Sequence, residues 1–67
     1  MAQLPEFVIN ARDEANAAAD AHHDAWDELQ AIAEPSYEDV EKWIAVREKF
    51  YFAQERFEKL LWQALGR

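Results

Sequence analysis

The chain has 67 residues, 51% of them hydrophobic and 31% charged, with a formal net charge of −7 and no cysteine. That is enough for one small domain, too apolar for a disordered segment, and without the thiols for a disulfide or thiolate metal site. The acidic excess lies in the first half. Residues 1–35 set the single base Arg12 against Glu6, Asp13, Glu14, Asp20, Asp24, Asp27, Glu28 and Glu34, whereas acids and bases balance in the rest. This charge argues against duplex DNA or RNA as a ligand, because neutralising phosphates dominates such binding. It suits a basic protein surface. No apolar run approaches the ~18 residues of a membrane span, and "MAQLPEFVIN" lacks the basic start and apolar core of a secretory signal. The expectation is a soluble cytoplasmic protein without membrane, nucleic-acid or cofactor partners.

In chain order, Pro5 and Glu6 suit the first turn of a helix. The next strong break is "AEPSYED", where Pro35 disfavours helical geometry for Glu34. Ser36 is a good N-cap, with Asp39 three residues on as in a capping box. Gly66 fits a helix C-cap. The pattern predicts a helix over about 5–33, a turn at 34–36 and a second helix over about 37–65. At 1.5 Å per residue each helix is ~43 Å long, and so short a linker makes them antiparallel neighbours. The fold class is all-α: a single-domain, antiparallel two-helix hairpin.

The first helix carries a seam spaced alternately by 4 and 3: Leu4, Val8, Ala11, Ala15, Ala18, His22, Ala25, Leu29, Ile32. Coiled-coil packing requires this spacing, and the alanines permit close approach. Phe7 flanks the seam on one side; Ala19, Trp26 and Ala33 flank it on the other. The opposite ridge places an acid every seven residues, at Glu6, Asp13, Asp20, Asp27 and Glu34. In the second helix the seam is Trp43, Val46, Phe50, Ala53, Phe57, Leu60, Ala64. Val40 and Leu61 flank it, and Ile44, Tyr51 and Leu65 form a further stripe. That is more apolar surface than one packing partner covers. A chain of this size is also marginal as a monomer. The expectation is a homodimer, two hairpins forming a four-helix bundle with two-fold symmetry. The stripe that faces the sister chain remains open.

Three constellations invite chemistry. Asp20, His23 and Asp27 share a helical face at i, i+3 and i, i+4 and could meet one ion. The plainer reading is an exposed histidine among acids, so no metal site is assigned. His22 interrupts the alanine seam, where an isolated polar residue can specify register or pairing. The acidic ridge, with charges ~10.5 Å apart, could imitate nucleic-acid phosphates, although a solvated outer face that resists aggregation is the simpler account. Nothing assembles an enzyme. There is no cysteine, threonine or glycine-rich loop, and Ser36, the sole serine, is better explained as a cap.

The aromatic run "KFYFAQERF" is the feature most suggestive of function. Its seam assigns Phe50 and Phe57 to the core and leaves Tyr51 as a subunit contact. Phe52, with Lys49 and Arg56 nearby and Trp62 further on, is left for a heterologous partner. Aromatic and arginine side chains are typical interface anchors.

The layout of two equal helices, a tight turn and an alanine-containing seam resembles the plasmid RNA-binding Rop family. That resemblance covers topology only, since the basic RNA-binding face is missing. Size, acidity, lack of cysteine and the hairpin layout also resemble small phage-encoded inhibitors of host proteins, of the anti-quorum-sensing, anti-activator type. This second resemblance implies a dimeric hairpin that sequesters a host regulatory or motor protein in the bacterial cytoplasm. The reading is therefore a non-enzymatic protein-binding inhibitor. Its partner would present an apolar groove or basic surroundings. The alternatives are a metal-binding bundle and a structural adaptor in a larger assembly.

Overall fold

The computed structural model describes residues 3–66. Two helices, α1 (Glu6–Ala31) and α2 (Tyr37–Ala64), pack against each other along their length. They form a rod of 51 × 18 × 13 Å. Among the described residues no helix is long and apolar enough to cross a membrane.

The helix ends follow from local chemistry. Pro5 is the N-cap of α1 rather than part of its first turn, with ψ of 150°. A proline lacks the N–H, but its carbonyl still accepts from Val8 and Ile9 at 3.0 and 3.2 Å. α1 stops at Ala31, two residues before the expected 33. Ile32 is extended (φ −84°, ψ 120°), with its N–H closing back on the Leu29 carbonyl. The reversal therefore occupies residues 32–36, not 34–36. Pro35 holds Glu34 out of the helical region, and the chain needs extended residues upstream of it to turn back.

The start of α2 is the capping box read from the sequence. Ser36 Oγ accepts from the Asp39 N–H at 3.2 Å, and Asp39 Oδ2 accepts from the Ser36 N–H at 3.0 Å. These bonds satisfy donors that would otherwise be orphaned at a helix start. The Ser36 backbone N–H, then the Ser36 hydroxyl contact, hold the exposed Asp39 carboxyl below its usual 3.8. At the far end Leu65 closes the last turn, and Gly66 takes φ of 75°, a conformation glycine adopts without a Cβ penalty.

Burial is deepest on the seam of α1. Val8, Ala11 and Ala15 are buried, Val8 completely. Ala18, His22, Ala25 and Leu29 are half-buried, as are Trp43, Val46, Phe50, Ala53, Phe57 and Leu60 opposite them. Leu4, Ile32 and Ala64, at the seam's ends, are exposed. A two-helix rod closes around little of its own seam: only these three small α1 side chains are buried among the described residues, and none of α2.

Candidate functional site

At mid-seam, His22 stacks on Phe50 with ring centroids 5.4 Å apart and planes inclined by 18°. It also lies 6.2 Å from Trp43, which in turn meets Trp26 at 5.3 Å. The Arg47 guanidinium sits over both the Trp43 and Tyr51 rings, at 5.1 and 5.6 Å. The geometry is cation–π. Three polar atoms of this cluster, His22 Nε2, Trp43 Nε1 and Arg47 Nε, are shielded from solvent without a hydrogen-bond partner. Within the chain His22 therefore makes no hydrogen bond through Nε2.

The hairpin has two unlike sides. On one, the Arg56 guanidinium bonds Glu14 across the helices at 3.2 Å. Here Phe52 is 70% exposed. It stands between two shallow hollows. One, of about 400 Å³, is walled by Glu55, Arg56, Lys59, Leu60 and Gln63; the other, of about 580 Å³, by Ala45, Glu48 and Lys49. Phe52, Lys49 and Arg56 are thus brought together as the sequence suggests. Trp62 is not part of this group. Ten residues on along a straight helix is ~15 Å further and ~80° round, and Trp62 walls neither hollow.

The other side carries Tyr51, 54% exposed, beside Arg47. Further along it a hollow of about 250 Å³ runs between the helices, where Asn16 and Ala19 of α1 face Gln54 and Glu58 of α2. Tyr51 and Phe52, adjacent in sequence and about 100° apart round the helix, therefore serve different sides of the rod.

The metal candidates do not assemble. His23 Nδ1 lies 3.3 Å from Asp27 Oδ2. Among the described residues no three histidine or carboxylate side chains gather as a metal would require, so Asp20 does not complete the set. The acidic ridge is exposed, with Asp13 paired to Arg12 at 3.1 Å.

Sequence reasoning missed Arg47, the cross-helix partner Glu14 and the rim residues Glu55 and Lys59. It also missed Tyr37, 91% exposed at the start of α2. The heptad positions beside each seam hold the signal for Arg47 and Glu14. It is faint because polar residues at such positions ordinarily mean solvated flanks. Comparison of the chain with protein-family models, curated proteins and solved structures finds no match.

Proposed function

We propose that the chain is a non-enzymatic protein-binding module that inhibits a regulatory or motor protein by occupying its surface. The observation that carries this reading is Phe52. A phenylalanine has no polar atom to hydrate, and burying such a side chain is worth about 1.5–3 kcal/mol. Phe52 leaves most of that unrealised within the chain. Hollows on both sides of the ring give a partner room to close around it. Lys49, Arg56 and Lys59, with Glu48 and Glu55, form a mixed-charge rim. The acidic outer ridge of α1 adds a longer-range attraction to basic surroundings, which acts mainly on encounter rate and specificity.

The mechanism is steric. Phe52 enters an apolar pocket, the rim fixes orientation, and the 51 Å rod covers whatever lies alongside. Affinity capture from the native host's lysate, repeated with Phe52→Ala, tests it. A partner retained by the wild type and lost by the variant supports the reading; capture indifferent to the change removes it.

A further inference from the structure

We infer that a second copy of this chain docks on the Tyr51 side of the hairpin, with α2 antiparallel to its counterpart about a two-fold axis level with residues 52 and 53. The first observation is area. A compact monomer of 7.8 kDa exposes about 4,400 Å², whereas this rod exposes 5504 Å². The surplus of about 1,100 Å² exceeds the ~800 Å² that each partner contributes to an ordinary stable interface.

The second observation selects the face. Beside its intramolecular seam α2 carries another, again spaced 4 and 3: Val40, Ile44, Arg47, Tyr51, Gln54, Glu58, Leu61, Leu65. Coiled-coil contact requires that spacing. Its chemistry is self-complementary when reversed. An isologous contact sets residue i against j and j against i. Inverting this seam about its midpoint sets Val40 against Leu65, Ile44 against Leu61, Arg47 against Glu58 and Tyr51 against Gln54. The apolar pairs fall at the ends and the one charged pair has opposite signs.

Local geometry points the same way. Arg12 and Arg56 each have a carboxylate partner within the chain. Arg47 has none among the described residues, its guanidinium lying over the Trp43 and Tyr51 rings instead. Glu58 likewise has no ion-pair partner among the described residues. The two-fold supplies each to the other. It also carries the sister chain's Tyr51 ring to the level of Gln54, where the hollow between Asn16, Ala19, Gln54 and Glu58 is open.

The helix register agrees for α1. The Glu14–Arg56 contact puts the midpoint of the α2 seam level with residues 17 and 18. About that level the same side of α1 sets Ile9 against Trp26, Asn16 against Ala19, and Arg12 against His23, which each keep a carboxylate of their own at Asp13 and Asp27. A four-helix bundle results in which Phe52 remains outside the dimer contact.

The test is a charge swap read by sedimentation equilibrium. The wild type is expected to be a dimer at micromolar concentration. Arg47→Glu and Glu58→Arg should each weaken it by about tenfold or more, and the double swap should restore most of the loss. A monomeric wild type, or a double swap no better than the single changes, overturns the inference. The chain has no cysteine, so a second readout is clean. Under mild oxidation Ile44→Cys should cross-link to Leu61→Cys in a mixture and not to itself; the reverse result rejects the antiparallel register.

Discussion

His22 lies flat against Phe50, ring centroids 5.4 Å apart, with its Nε2 shielded from water and bonded to nothing. The stack explains how a polar ring is tolerated at a seam otherwise built from alanine and aliphatic residues. It does not offset leaving a polar atom unsatisfied, a defect that generally costs about 1–3 kcal/mol.

His22→Leu should therefore raise stability. Removing the orphaned nitrogen while keeping the bulk is worth about 1 kcal/mol, or roughly 4–8 °C in Tm for a domain this small. Thermal melts by circular dichroism at fixed protein concentration measure it. A lowered Tm would show that the ring makes a bond this geometry lacks.

The capping box predicts a pH signature. Asp39 is held below its usual 3.8 by the Ser36 N–H and hydroxyl contacts. Its carboxylate thus contributes stability that is fully present above the unfolded value and is lost as pH falls through the lower folded one. Asp39→Asn should flatten the decline in stability at and below pH ~4 while changing its slope at neutral pH little. Ser36→Ala should cost about 1 kcal/mol at neutral pH. Urea titrations between acid and neutral pH test both, and an unchanged acid limb in Asp39→Asn would count against the cap.

Tyr51 and Phe52 should separate two activities. Phe52→Ala should leave Tm and self-association unchanged and weaken binding to the captured partner by tenfold or more, a typical anchor loss of about 1.4 kcal/mol or above. Tyr51→Ala should do the reverse, weakening self-association first. Sedimentation and binding titrations on both variants are the measurements. If the two changes affect both properties alike, the sides are not functionally distinct.

The Glu14–Arg56 contact is solvent-exposed on both partners. Exposed pairs contribute little, about 0–1 kcal/mol, and are screened by salt. Glu14→Gln should therefore change stability by under about 1 kcal/mol, with the difference vanishing at high ionic strength in denaturant unfolding. A larger loss would mean that the pair fixes the helix register.

Much of the architecture was legible from residue spacing. The alternation at Leu4 to Ile32 and at Trp43 to Ala64 reports which face each helix turns to the other, although Leu4, Ile32 and Ala64 at its ends stay exposed. Ser36 and Asp39 were legible because a cap needs only near neighbours. The end of α1 was less so. Ile32 and Ala33 continue the periodic pattern, and only the need to reverse direction ahead of Pro35 takes them out of the helix.

The sequence by itself determined the hairpin: two helices, the capping box that starts the second, and the seam on which they meet. These depend on interactions a few residues long, repeated at a fixed period. The tertiary structure decided the sides. Which flank of α1 borders Gln54 and Glu58, and which α1 residue meets each α2 aromatic, depend on helix register. That register sets the interhelical contacts, such as Glu14 with Arg56 and His22 with Phe50, between residues far apart in the chain that local periodicity does not relate.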